Sequence, residues 1–308
     1  MTTLLYTHEA CLLHDTGRHH PEAPARLRAV LDGLSGAGFG ALIRRSAPRT
    51  EPAELERAHD PRFVAALLAS IPREGHGAID ADTIVSPQSG EAALHAAGAV
   101  VAAVDAVIAG EAANAFCAVR PPGHHAERAR AMGFCLFNNV AIGAQRARQV
   151  HRLDRVAVID FDVHHGNGTQ AIFEDDPHLF YASTHQWPLY PGTGGRNETG
   201  VGNVVNAPLP PNAGSAEFRT AMNERILPAL EDFRPDLVMV SAGFDAHRAD
   251  PLAQLNLVEA DFAWVTERLV ALAARHCRGR VVSSLEGGYD LDALAASAAA
   301  HVGALLAA

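Results

Sequence analysis

The sequence predicts a three-layer α/β/α domain built on a mainly parallel sheet of eight strands. Three observations carry this expectation. Eight short apolar runs rich in β-branched residues alternate, for most of the chain, with helical patterns of ten or more residues, as parallel strands joined by crossover helices require. His, Asp and Tyr collect where four of these runs stop. The 308 residues, 48% of them apolar, continue without a linker, a repeat of fixed period or a tail of biased composition. One domain spanning residues 1–308 is therefore expected.

In chain order the strand-like runs are 4–7, 42–44, 116–119, 156–159, 179–183, 204–206, 237–241 and 281–285, and the clearest helical patterns are 25–34, 61–69, 91–108, 139–150, 216–230, 258–276 and 291–306. The run 156–159 is continuously apolar, as expected of a central strand covered on both faces. The longest apolar segment, 92–109, is rich in Ala and interrupted by His95 and Asp105. With Ser89 as its cap and Gly110 as its stop, it reads as a buried helix rather than a membrane span. The apolar start is too short for a signal peptide and soon meets His8, Glu9, His14 and Asp15. Cys11, Cys117, Cys135 and Cys277 have no paired spacing and read as reduced, mostly buried thiols, so a cytoplasmic protein is expected. The formal charge of −10 argues against a nucleic-acid-binding surface, because phosphate contacts need clustered cations. It is compatible with cationic substrates. All 25 basic residues are Arg, and nothing in the function explains that.

The polar strand ends carry the chemistry. Run 116–119 leads into Arg120-Pro-Pro-Gly-His124-His125, and run 156–159 into Asp160-Phe-Asp162-Val-His164-His165-Gly166-Asn167. Run 237–241 leads to Gly243-Phe-Asp245, and run 281–285 into Glu286-Gly-Gly-Tyr289. Parallel strands place their carboxyl ends on one side of a sheet, so these residues can meet although they span most of the chain. Asp162 and His164 stand two residues apart and leave an extended segment on the same face. Asp160 shares that parity, as a third ligand or as a group that orients a histidine. Asp162, His164 and Asp245 offer two carboxylates and one imidazole, a set suited to Zn²⁺ or Fe²⁺ with a position open for water. Such an ion promotes hydrolysis of an unactivated acyl bond. Behind a rigid Pro-Pro-Gly turn, one of His124 and His125 can take a proton while the other stabilises charge. Tyr289 can donate a hydrogen bond to a developing oxyanion.

These motifs resemble the zinc-dependent histone deacetylase family in the broad sense, which includes bacterial deacetylase-like amidohydrolases and acetylpolyamine amidohydrolases. The resemblance runs from His20-Pro-Glu-Ala-Pro-Ala-Arg26-Leu to Glu286-Gly-Gly-Tyr289. On the way it takes in Gly133-Phe-Cys-Leu-Phe-Asn-Asn139 and Pro191-Gly-Thr-Gly194. Asn167 and the Glu-Gly-Gly-Tyr form look like the class II branch. The resemblance implies the arginase/deacetylase α/β fold. It implies zinc at Asp162, His164 and Asp245, with His125 as general base and acid and His124 as its electrostatic partner. Asp160 and Asn167 match the residues that orient those two histidines. Tyr289 matches the group that polarises the carbonyl, and Gly133, Phe134 and Tyr190 match walls of an acyl-lysine channel. Family members also bind K⁺ at positions matching Asp160, Asp162, His164, Ser183 and Thr184. Related binuclear manganese enzymes carry an aspartate where this chain has Gly166, so a second catalytic metal is not expected. His247 is expected in a loop or rim role.

The function this implies is removal of acetyl, or another short acyl group, from an acetyl-lysine-type amine by metal-activated water. The alternative is acetylpolyamine deacetylation, against which Leu252 counts, since a polyamine-selective branch resembles the same segment with Glu. A non-catalytic acyl-amine binding protein needs damage to the chemistry, and every motif residue is intact. Residues 71–87, with Asp80 and Asp82, are expected to border the channel mouth and to grip substrate or mediate homo-oligomer assembly. No nucleic-acid or membrane partner is expected.

Overall fold

The computed structural model describes residues 2–308. Its strands are β1 (Thr3–Thr7), β2 (Ile43–Ser46), β3 (Gly77–Ala78), β4 (Ile84–Val85), β5 (Asn114–Cys117), β6 (Val156–Asp160), β7 (Leu179–Gln186), β8 (Val204–Leu209), β9 (Leu237–Ala242) and β10 (Val281–Leu285). Eight form one sheet in the order β2-β1-β5-β10-β9-β6-β7-β8, with every neighbouring pair parallel. All five residues of β6 are buried, which is what a central strand with helices on both faces requires. β3 and β4 make a separate antiparallel pair inside the 71–87 segment.

The helices are α1 (Ala10–Leu13), α2 (Pro24–Gly33), α3 (Pro52–Leu55), α4 (Pro61–Ala69), α5 (Ser89–Ile108), α6 (Asn139–Gln149), α7 (Asn167–Phe173), α8 (Ser215–Ala221), α9 (Leu227–Phe233), α10 (Glu259–His276) and α11 (Leu291–Leu306). α5 and α6 cover one face of the sheet, where Gly143 of α6 sits against Val100 of α5 and Met239 of β9. On the other face Phe161, Phe244, Phe262 of α10 and His301 of α11 interlock, with ring centroids 5.2–6.0 Å apart. These rings pack α10 and α11 against the residues that follow β6 and β9.

Two helix expectations need correction. Residues 216–230 are not one regular helix: α8 passes into a π-helical stretch, Met222–Ile226, before α9. Pro228 is the physical reason, since it has no N–H to donate and its ring crowds the carbonyl four residues earlier, which a widened turn relieves. Ser89 does not cap α5 but opens it. Its hydroxyl accepts from the Ser86 amide at 2.7 Å and meets His14 Nδ1 at 2.7 Å. Gly110 does end the helix, at φ +78. α5 is long and apolar enough to cross a bilayer, yet 72% of its most apolar window is buried in the fold. All four cysteines are free and buried.

Candidate active site

The four strands whose ends carry the polar motifs are neighbours at the centre of the sheet, in the order β5-β10-β9-β6. Their common carboxyl edge brings Asp162, His164 and Asp245 together, with one potential ligand atom from each inside 4.8 Å of the others. His164 Nδ1 lies 3.2 Å from Asp162 Oδ1 and 3.1 Å from Asp245 Oδ2. Backbone amides aim the carboxylates: Gly287 N donates to Asp162 Oδ2 at 2.8 Å, His164 N to Asp162 Oδ1 at 2.9 Å, and Val163 N to Asp245 Oδ1 at 2.8 Å. A methyl group on Gly287 would collide with both carboxylates, and one on Gly243 with Asp162. Burial, then the charge of Asp162, pushes Asp245 up to about 7. Two like charges held together out of water call for a cation, and this donor set fits a divalent one.

Asp160 stands outside that cluster. Its Oδ2 accepts from the Tyr181 hydroxyl at 3.1 Å and faces His124 Nδ1 at 3.0 Å, and its Oδ1 accepts from Asp162 N at 3.1 Å. Of the two roles left open by parity, the geometry is that of an orienting group. The His124 and His125 rings lie 4.0 Å apart. Burial alone would disfavour charge on His124, but the carboxylates of Asp162 and Asp160 outweigh it and raise its pKa to about 10. Burial and the charge of His124 push His125 well below its ordinary value, and its Nδ1 meets Asn167 Oδ1 at 2.8 Å. Adjacent imidazoles with opposed shifts are able to divide acid and base roles between them.

A cavity of about 240 Å³ opens over these groups. Its walls include Gly133, Phe134, Tyr190, Leu252 and Tyr289, together with Asp82 from the 71–87 segment. Tyr190 stands 5.1 Å from His125, and Phe134 stands 6.0 Å from Tyr289, centroid to centroid. Ser183 of β7 is the register partner of Asp160, with Thr184 next to it, and both are buried. His247 turns away: its Nδ1 accepts from Ala249 N at 3.1 Å and its Nε2 lies 3.5 Å from Glu259. Gly166 donates its amide to the Tyr181 hydroxyl at 2.9 Å, and a side chain there would strike Tyr181, Asp160 and His124.

Several supports were not evident from the sequence. Glu286 Oε2 accepts from Gly123 N at 2.7 Å and His124 N at 3.2 Å, tying the histidine turn to the strand that leads to Tyr289. Asp250 accepts from Tyr289 N at 2.7 Å. Arg26 lies 4.7 Å over the Tyr289 ring and donates to the backbone oxygens of Glu286 and Gly288. Buried Glu22 pairs with Arg26 and Arg120; burial opposes its charge, and the two guanidiniums hold it at about 2. Arg26 and Arg120 lie in visible motifs, but only tertiary contact reveals their shared partner.

Residues 20–305 match the histone deacetylase domain family. A histone deacetylase-like amidohydrolase of Pseudomonas aeruginosa is 39% identical over 311 residues, covering 94% of this chain and 82% of that protein. The human polyamine deacetylase HDAC10 is 40% identical over 327 residues, covering 99% of this chain and 48% of that protein. The crystal structure of the HDA15 HD domain matches with a TM-score of 0.93 at 36% identity, covering 99% of this chain and 88% of that one. With the parallel sheet, the arginase/deacetylase-like fold and near-complete coverage, the chain belongs to the histone deacetylase family and is a deacetylase.

Proposed function

We propose that this deacetylase uses a single zinc ion held by Asp162, His164 and Asp245 to hydrolyse acetyl-lysine-type amides. The observation that carries the reading is the convergence of that ligand set beneath an apolar-walled cavity, beside two histidines of opposite protonation preference. A bound divalent ion polarises an amide carbonyl and brings the pKa of water from ~16 to roughly 7. His125 donates its Nδ1 hydrogen to Asn167, which leaves Nε2 to take a proton from the attacking water and return it to the leaving amine. His124, kept cationic by the carboxylates of Asp162 and Asp160, stabilises the negative charge that develops on oxygen. Burial pushes the Tyr289 phenol well up, so it stays protonated and donates to the carbonyl oxygen. Phe134 and Tyr190 flank the aliphatic chain of the substrate. Potassium is proposed at Asp160, Asp162, His164, Ser183 and Thr184, where it would offset the buried charge of Asp160. Four free, buried thiols fit a reducing cytoplasm.

A second reading, acetylpolyamine deacetylation, is favoured by one observation: Asp82 lines the cavity, where it could meet an internal ammonium. Leu252 on the same wall opposes it, because an apolar side chain gives a second cation nothing to pair with. Parallel kinetics on an acetyl-lysine peptide and an N-acetylated polyamine separate the two. Wild type is expected to prefer the peptide, and Leu252→Glu to move the preference toward the polyamine by roughly tenfold. A wild-type preference for the polyamine would reverse the assignment.

A further inference from the structure

A neutral imidazole has one nitrogen that can accept a proton and one that cannot. His125 Nδ1 faces the side-chain oxygen of Asn167 at 2.8 Å, so Nδ1 carries the hydrogen and Nε2 is the acceptor. This depends on which way round the Asn167 amide sits, because its two ends have nearly equal shape and opposite hydrogen-bonding character. An aspartate has no wrong way round; an asparagine does. The nitrogen end of Asn167 lies 2.7 Å from Glu127 Oε1, with the backbone oxygen of His125 and the sulfur of Met132 each at 3.4 Å. Reversing the amide would press its oxygen against the Glu127 carboxylate and turn its NH₂ toward His125 Nδ1. The ring hydrogen would then move to Nε2, and the proton acceptor would be lost.

We propose that Glu127 is the positioning residue that fixes the Asn167 amide and, through it, the tautomer of His125 that takes the proton from water. The inference rests on the reading of His125 as the base. Glu127 is itself held in place: its backbone oxygen meets His59 Nδ1 at 2.9 Å, and its amide donates to Arg130 O at 2.9 Å. His59 is buried, and its Nε2 accepts from Asn138 N at 2.9 Å, so its Nδ1 carries the hydrogen that Glu127 receives. The chain of contacts from His59 through Glu127 and Asn167 to His125 is continuous. His59 anchors the Glu127 backbone, the Glu127 carboxylate sets which way round the Asn167 amide sits, and that amide sets which nitrogen of His125 carries the hydrogen.

Glu127→Lys replaces the acceptor with a donor, which pairs with the Asn167 oxygen and reverses the amide. A kcat loss of roughly 100-fold is expected, with KM for an acetyl-lysine peptide changed less than about twofold. Asn167→Asp alone sets two carboxylates face to face and loses activity as well. In the double variant Glu127→Lys with Asn167→Asp, the carboxylate at 167 accepts from both neighbours, and kcat is expected to return to within roughly tenfold of wild type. His125→Ala is measured in the same assay, with melting temperatures throughout. If His125→Ala keeps its turnover, the reading of His125 as base fails and this inference falls with it. If His125→Ala is inactive while Glu127→Lys keeps wild-type kcat, or loses it without recovery in the double variant, the inference alone is overturned. If the lysine variant does not fold, Glu127→Ala, which removes the acceptor, decides instead: a several-fold kcat loss relieved by Asn167→Asp supports the inference, and an unchanged kcat contradicts it.

Discussion

His124 and His125 share a side chain and adjoin in sequence, yet their surroundings separate them. Asp160 faces one and the neutral Asn167 faces the other. Asp160→Asn removes one of the two carboxylates that favour charge on His124, the one that faces its Nδ1, and a kcat loss of roughly 100-fold with little change in KM is the expected result. Tyr289→Phe keeps the ring over Arg26 but removes the hydroxyl, so steady-state kinetics should again show the loss in kcat rather than KM. At this scale the sequence was legible wherever function forces several unusual residues into a short span, as in Asp160 to Asn167. It was silent about Glu22, Asp250 and Glu127. A carboxylate in a loop looks alike in sequence whether it faces water or a buried donor, and only the fold supplies the partner.

Elements were legible in proportion to their length. Each strand of the main sheet overlaps an apolar run; the central strands β6, β9 and β10 are buried throughout, whereas the edge strand β2, Ile-Arg-Arg-Ser, is largely exposed and only its first two residues fall on the run 42–44. The short helices α1, α3 and α7 span too few residues for a 3.6-residue period to emerge. Helical glycines show where packing overrides propensity. Gly98 of α5 lies under the Pro48 backbone, which an added Cβ would strike, whereas Gly303 of α11 has open space around it. Gly303→Ala should stabilise by about 0.5–1 kcal/mol, as helix propensity alone dictates. Gly98→Ala should destabilise by about 1–3 kcal/mol despite the same propensity gain. Urea unfolding of the two variants measures both signs, and a stabilised Gly98→Ala would refute the packing argument.

Across the whole molecule, sheet order creates the site. Strands far apart in sequence, β5, β6, β9 and β10, become neighbours, and that adjacency was not readable from any one of them. The same core holds a buried histidine outside the ligand cluster, packed on Phe161 and Phe244. His301 bridges Thr266 Oγ1 at 2.6 Å and Ser283 Oγ at 2.8 Å, and burial pushes its pKa down to about 3. In the unfolded chain an imidazole protonates near pH ~6.5, so between the two values the unfolded state binds more protons. The stability this residue contributes is whole above about pH 6.5 and falls as pH drops toward 3, by ~1.4 kcal/mol per unit. Urea midpoints measured against pH should fall less steeply in His301→Gln than in wild type; equal slopes would contradict the assignment.

The central claim is one catalytic divalent ion, held by residues from two strand ends. Protein stripped by a chelator and titrated with zinc, with bound metal and turnover followed together, tests it most directly. Turnover is expected to rise in step with zinc and to saturate at about one catalytic equivalent, while Asp245→Ala binds that equivalent weakly and stays inactive. Full turnover in the stripped protein, or in metal-loaded Asp245→Ala, would contradict the account.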